Sequence, residues 1–475
     1  MKFHVRVATV MVVFLQTACA PALPKGPSLI QGIGFQNAHG NANAAVQPHQ
    51  ADLSTNRWWH VFRDPNLNRL VAMALKNNPG LAEASARMRL AQAELLRANA
   101  AEWPHFDSIN QVTRAHLSDN GNHAIYNGTT STVGEIVPLL VSYHLDVFGE
   151  DRENIAAARA GAEAVHAEYR QSALMLSAAV IKTYFALAIA QQLVDIQGGI
   201  VKLSKSAGGI QAADYRAGIQ SAVAMLTTRV EIQNAESTLA AIRQKEAALG
   251  FALATLLGKG PAYRIPVTMD ARKIPVNFKV PGDIDMDIIA QRPDIQAALW
   301  NIRHAVHVEK SARAAFYPNI NLRALVGFNS VGISNLLKAS SFLYAFGPAV
   351  SLPIFEGGAL EGRFKASASA YDMAVFYYNK SVLAAVSQVA TDLAALEHSK
   401  EQLNEDANVV QQSAALVDVA ASQFNSGIAD KIPLIQAKIQ FNIAIKTHLE
   451  ETLNWISTVT DAATALGGGF QRWSA

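Results

Sequence analysis

Two hydrophobic periods alternate along this 475-residue chain. Residues 79–102 place apolar side chains at helical spacing, and the pattern stops at Trp103-Pro104. Proline lacks an amide hydrogen and restricts the residue before it, so a helix ends there. The same pattern returns over 293–316 and stops at Tyr317-Pro318. The period then becomes two. Ile320, Leu322, Ala324, Val326 and Phe328 alternate with Asn319, Asn321, Arg323, Leu325 and Gly327. That spacing predicts a strand with one more apolar face. A polar loop follows in each half, near Ser118–Thr132 and Ser330–Ser340, and a second strand leads to "LDVFG" or "LPIFEGG".

Very long helices are predicted next. Residues 150–215 and 358–424 contain no proline. At 1.5 Å per residue each reaches about 100 Å, several times the length of an ordinary globular helix. Turns at Gly218 and Gly427 predict hairpins, with return helices running to Gly258 and Gly467. Ile155, Ala158, Ala162, Val165, Tyr169, Ser172, Leu176 and Ala179 step by three and four, the spacing of a coiled-coil seam. Such a stripe speaks of architecture rather than of a cofactor.

The order of elements is written twice. A shift of 214 residues brings Pro79 onto Pro293, Arg89 onto Arg303 and Pro104 onto Pro318. Further on, a shift of 209 brings Ser172 onto Ser381, Gly218 onto Gly427 and Gly258 onto Gly467. The second copy is therefore five residues shorter between Pro318 and Ser381. Two strands per copy make four per chain. Four strands cannot close a membrane barrel, and an open sheet edge in lipid is prohibitively costly, so closure must recruit other chains. Three chains give twelve strands; two or four chains would also give an even number. Phe106, Tyr143, Phe148, Tyr317 and Phe355 lie near the strand ends. They suit interfacial girdles, and equally suit any sheet that favours aromatics.

The first residues read as an export signal. Lys2, His4 and Arg6 precede an apolar run from Val7 to Leu15, too short to span a bilayer. Cys19, the only cysteine, follows Thr17 and Ala18. Pro21 disfavours ordinary cleavage after Ala20, so cleavage before Cys19 with lipid on its thiol is the expectation. A plain signal peptide with an incidental cysteine is the alternative, since Gln16 stands where a lipobox usually has Leu. The resulting division is a signal peptide at 1–18, a lipid-anchored tether at 19–55 and a first repeat at 56–265. A connector at 266–285, a second repeat at 286–468 and a tail at 469–475 complete it. Ala173 to Ala190 is apolar around Lys182 and reads as a helix packed on other helices.

Half the residues are apolar, 16% are charged and the net charge is +2. That balance excludes a disordered chain and a nucleic-acid partner. The chain lacks a phosphate-loop motif, a His-Glu-x-x-His and a Gly-x-Ser-x-Gly. His304 and His307, with Glu309 near, could be offered to a metal, but exposed helix histidines are the default reading. No enzyme, cofactor or metal is predicted. A soluble coiled-coil scaffold is disfavoured by the signal segment, the alternating strands and the repeat.

At this point the residues resemble a known family. "WWHVFRDPNLNRLVAMALKNNPGL" (Trp58–Leu81) is similar to the opening of NodT-type outer-membrane factor lipoproteins, relatives of TolC and OprM. "AQRPDIQAALWNIRHAVHVEKSARAAFYPNINL" (Ala290–Leu322) resembles the start of their second repeat, and "LPIFEGG" (Leu352–Gly358) the link from last strand to long helix. The resemblance covers residues 56 to 468. It implies a homotrimer in which a mainly helical α-barrel continues a shared 12-stranded transmembrane β-barrel. It implies outer-membrane lipid around the barrel, a periplasmic adaptor of the membrane-fusion type, and an inner-membrane pump of the RND type. A duct of type I protein secretion is the nearer rival. Energy would come from the pump.

The resemblance also places the adaptor contact at the hairpin tips: Arg216, Gly218 and Ile219 in one, Asn425, Gly427 and Ile428 in the other. TolC relatives often close the pore with a double ring of aspartates. Here the matching positions hold Pro433 and Gln436, or Ala224 and Thr227. Asp430 and Asp214 are the nearby acids and the gate candidates; a solvated Asp430 paired with Lys431 is the competing reading. Gly198-Gly199 and Gly208-Gly209 weaken the first long helix, which predicts a segment that bends on opening or one packed closely.

Overall fold

A computed structural model describes residues 26–29, 57–120, 128–265 and 289–468. Cys19, the signal segment, most of the tether, the whole connector and the tail lie outside the described residues. The order is a 3-10 turn (Trp58–Phe62), α1 (Pro65–Asn77), α2 (Pro79–Asn99), β1 (His105–His116), β2 (Thr130–Leu145), α3 (Glu150–Arg216) and α4 (Ala222–Leu256). It repeats as α5 (Pro293–Ala314), β3 (Asn319–Val331), β4 (Phe342–Ser351), α6 (Ala359–Asn425) and α7 (Lys431–Ala465). α3 and α6 have 67 residues each, and α4 and α7 have 35 each. The predicted helix 79–102 ends its α-helical part at Asn99 and closes with a 3-10 turn, Ala100–Glu102.

Two compact units form, and each draws on both copies. One holds Met88–Val165 and Ala297–Tyr378 with the described N-terminal residues. Its four strands make one antiparallel sheet in the order β1-β2-β3-β4. The helical ends beside them pack through polar contacts. His304 Nδ1 lies 2.8 Å from the Ala157 carbonyl, His307 Nδ1 lies 2.6 Å from Glu153, and Ser311 donates to Asn154 at 2.6 Å. These histidines are half-buried against α3, so the expectation of exposed helix histidines is corrected. Among the described residues no group of three or more metal-ligating side chains comes together. Phe148 stacks on Tyr317 at 4.9 Å.

The second unit holds Ile30–Arg87, His166–Gln296 and Asn379–Ala475. Its core gathers Trp58, Trp59, Phe62, Leu67, Tyr184, Phe185, Leu253, Trp455 and Ile456. The "WWHVFRDP" opening is explained here. Both tryptophans are buried, and Trp58 Nε1 donates to Ser177 at 3.2 Å. Asp64 caps α1 by accepting from the amides of Asn66 and Leu67, with Pro65 in the first turn. Its other oxygen accepts from the Tyr184 hydroxyl at 2.6 Å. Burial, and then this bond, push the Tyr184 pKa up. Lys182 is also accounted for: it pairs with Asp461 at 2.5 Å, so the apolar stretch around it packs on α7.

Within the single chain the predicted seam is mostly half-buried. Ser172 is exposed, and of that set only Ile155 is fully buried. The buried line instead runs through Ala157, Ala160, Ala164, Ala167, Leu174, Ser177, Ile181 and Tyr184. Alanines at 156, 157, 158, 160, 162, 164 and 167 leave several stripes equally apolar, so spacing alone does not choose between them.

The repeat is realised in the contacts at the helix ends. All four hairpin and return-helix ends carry a Schellman motif. Gly218 and Gly427 have φ of 75° and 70°, with Ile219 N donating to Asp214 O and Ile428 N to Gln423 O. Gly258 and Gly467 repeat this with φ of 68° and 76°. Asn78 Nδ2 donates to the Leu256 carbonyl at 2.9 Å, and Arg292 Nη1 to the Ala465 carbonyl at 2.8 Å. The two repeat shifts map Asn78 onto Arg292 and Leu256 onto Ala465. Each residue before the repeat's proline thus closes the end of that repeat's return helix. Arg292 adds a fork onto Asp294 and a bond to Gln388. In this way the "RPD" segment ties three helices together.

Candidate functional site

The sheet has two unlike faces. Residues directly paired across antiparallel strands share a face, so the pairing register sorts every side chain. One face carries Phe342, Tyr344, Phe346, Pro348 and Val350 of β4 beside Phe328, Val326, Ala324, Leu322 and Ile320 of β3. On β2 it carries Ile136, Leu139, Val141, Tyr143 and Leu145. On β1 it carries Phe106 and Val112, with Ser108 and Asn110 between them. Phe346 is 81% exposed and Tyr344 67%. The other face carries His105, Asp107, Gln111, Glu135, Ser142, His144, Asn321, Arg323 and Asn329. Gln111 donates to Glu135 at 2.6 Å across this face. This second face also holds Ile109, Val137, Leu140, Leu325 and Leu343, so the sheet has one more apolar, outward-exposed face and one mixed face that carries most of the charged groups, a division that suits a transmembrane barrel wall. β1 and β4 are the two edges.

A bulge interrupts β2. Between Ile136 and Leu139, β2 advances three residues while β3 advances two. Pro138 sits in the bulge, where its missing amide breaks no ladder bond. The bulge pushes the β2 backbone toward β3, and only glycine fits there. A Cβ on Gly327 would lie 2.3 Å from the Ile136 carbonyl oxygen and 2.9 Å from Val137 Cα. Sequence reasoning found the strands but missed this pair; the signal was a proline inside one strand and a glycine inside its neighbour.

The hairpin tips are open. Arg216, Gly218, Ile219, Asn425, Gly427 and Ile428 are all exposed, with Ile219 at 73% and Ile428 at 78%. Ser221 caps α4 and Asp430 caps α7, at repeat-equivalent positions. The Asp430 carboxylate accepts from Ile432 N at 3.0 Å, and Pro433 falls in the first turn of α7, where proline is tolerated. Asp214 supplies its carbonyl to the first tip's turn. The structure brings Asp214 into the first tip and Asp430 into the second.

The glycine pairs leave α3 unbroken. A Cβ on Gly198, Gly199 or Gly209 would meet nothing within 4 Å, whereas one on Gly208 would press on Ile232. Close packing within the chain therefore accounts for Gly208 alone.

Elsewhere, Glu309 is buried and Asp392 half-buried within the helices. Burial, and then the charge of Asp372, raise the Glu309 pKa; burial, and then Asp461, raise that of Asp392.

Solved structures share this architecture. The outer-membrane protein VceC of Vibrio cholerae is 24% identical, with a TM-score of 0.76 over 88% of this chain and 100% of that one. The CmeC outer-membrane channel of Campylobacter jejuni is 22% identical, with a TM-score of 0.80 over 95% of this chain and 96% of that one. The open MtrE outer-membrane channel of Neisseria gonorrhoeae is 24% identical, with a TM-score of 0.78 over 95% and 98%. The fold is that of the outer-membrane channels. A model of the outer membrane efflux protein family matches residues 70–259 and 286–468, and the chain belongs to that family. The multidrug resistance outer membrane protein MdtP of Escherichia coli K12 is 24% identical over 463 residues, covering 94% of this chain and 95% of its own. The fusaric acid resistance protein FusA of Burkholderia cepacia is 31% identical over 343 residues, covering 69% and 63%.

Proposed function

We propose that this chain is one protomer of a passive, trimeric exit duct. It would carry small molecules from an inner-membrane pump of the RND type, through a periplasmic adaptor, across the outer membrane. The observation that carries this reading is the four-stranded, two-faced sheet with two open edges. Closing β4 of one chain onto β1 of the next removes both edges, and three chains give a barrel of twelve strands. The 67-residue helices α3 and α6, which follow each strand pair, would line the periplasmic tube. The two repeats, 56–265 and 286–468, would each supply one strand pair and one helix hairpin. Relatives named for multidrug resistance and for fusaric acid resistance support a small-molecule cargo.

The tips would dock the adaptor through Ile219 and Ile428, large apolar side chains held in water by turns that only glycine makes easily. Arg216 and Asn425 flank them. Asp430 and Asp214, three times over, would mark the pore entrance as an acidic rim. A lipid on Cys19 would hold the chain to the membrane. Gly26 lies so close to the Tyr371 ring that a Cβ would fall 2.1 Å from it. Tyr371 is a dozen residues into α6, about 18 Å from its first residue. The seven residues back to Cys19 reach about 25 Å when extended, enough to return to the bilayer.

Purified full-length protein in planar bilayers tests the reading, with mass measured in detergent. Trimer mass and discrete conductance steps are expected. A non-conducting monomer would overturn it.

The glycines of α3 supply a gating prediction. Gly198→Ala, Gly199→Ala and Gly209→Ala together each remove up to about 1 kcal/mol of helix cost. The triple variant should melt higher and open less often than the wild type. Unchanged open probability and transport would exclude flexure at these sites.

A further inference from the structure

The mixed face of the sheet is charged unevenly along its length. At the end nearest the helices, one row of paired residues reads His105, Ser142, Arg323 and Gly347 across β1 to β4. Arg323 is the only guanidinium on this face, and it is exposed. Its in-row neighbour on β4 is Gly347, where even a Cβ would meet nothing within 4 Å, so no side chain there shields it. No salt bridge engages Arg323 among the described residues. The acids near this face are engaged or stand further out: on the helix side Asp151 is held by His144, in the next row, at 2.5 Å. Asp107 is one row away, paired with Leu140, and Glu135 lies two rows beyond that, already bonded to Gln111. A row spans two residues, about 6.6 Å, and neighbouring strands lie about 4.8 Å apart. Backbone to backbone, Asp107 on β1 is then about 12 Å from Arg323 on β3, and no ion pair joins them among the described residues.

We propose that Arg323, repeated in three protomers, forms a basic ring at the helix-side entrance of the barrel lumen and favours small organic anions over cations. Rings of charged side chains select ions in this way, with Arg and Lys serving anion pores. The inference rests on the trimeric-duct reading and adds to it a preference for one class of cargo. The duct is then more than a neutral outlet: it sorts what the pump delivers.

The test is a reversal-potential measurement on full-length trimers in planar bilayers under a tenfold KCl gradient. Arg323→Gln should lower the chloride-to-potassium permeability ratio roughly two- to fourfold, and Arg323→Glu should lower it further. The effect should shrink in concentrated salt. Arg323→Lys keeps the charge and should keep the ratio. Arg114→Gln, on the more apolar face near the loop end of β1, should also leave it unchanged. An unaltered ratio in a conducting Arg323→Gln or Arg323→Glu trimer overturns the ring, as does an equal shift from Arg114→Gln. Wild-type protein that never conducts overturns the duct reading itself, and the ring with it.

Discussion

Gly327→Val is expected to abolish assembly of the membrane barrel while the helical hairpins still fold. The Pro138 bulge carries the β2 backbone against β3, and the first atom of any side chain at 327 would sit 2.3 Å from the Ile136 carbonyl oxygen. That atom belongs to the backbone of a central strand, so no rotamer change relieves the overlap. Overpacking costs about 1–3 kcal/mol at a single site, and here the strand must shift as well. A trimer would multiply the penalty by three. Shifting β2 away from β3 would break ladder bonds that lipid cannot replace. Mass in detergent should show monomers in place of trimers, and far-ultraviolet circular dichroism should retain its helical signal. Gly327→Ala should give a weaker version of the same defect. Stable trimers of Gly327→Val would mean that the bulge relaxes without loss.

Ile219→Asp combined with Ile428→Asp is expected to abolish efflux without disturbing the trimer. Both side chains are more than 70% exposed, so removing them costs the isolated chain little. If an adaptor buries both, each would contribute about 1.5–3 kcal/mol of apolar transfer. Three chains carry six such residues, so the loss of docking is severalfold greater than any single change suggests. A drug-susceptibility assay should report the null phenotype, while purified trimers keep wild-type mass and thermal midpoint. Either single variant should be intermediate. Full efflux by the double variant would place the adaptor contact elsewhere.

Much of this molecule is legible in the sequence, and the reason differs from element to element. Proline at 104 and 318 ends the same helix twice, and the alternation after Pro318 survives as the two faces of β3. Gly218 and Gly427 announce the hairpins because the Schellman turn requires a left-handed residue there. Packing between distant segments is less legible. Asn78 and Leu256 meet across 178 positions, and no local pattern marks the contact. In α3 spacing does not single out the line buried within the chain, because alanine fits a buried and a half-buried position alike. Pro138 illustrates a third case. A proline inside an apparent strand argues against the strand, yet here it marks the place where the strand must bend. For Asp430 the sequence offers a gate or a solvated acid paired with Lys431, and the structure shows its carboxylate engaged in starting α7.

The equal lengths of the two hairpins have a consequence for symmetry. Both long helices have 67 residues and both return helices 35, although the copies share few identical residues. In the proposed assembly the two tips of each chain would end level, and three chains would present six near-alike footings. A threefold object would then offer an approximately sixfold rim. A partner built from six identical subunits could seat on it with every subunit engaged, three of them on each kind of tip. The five residues missing from the second copy fall between Pro318 and Ser381, away from the tips, and so leave that rim even.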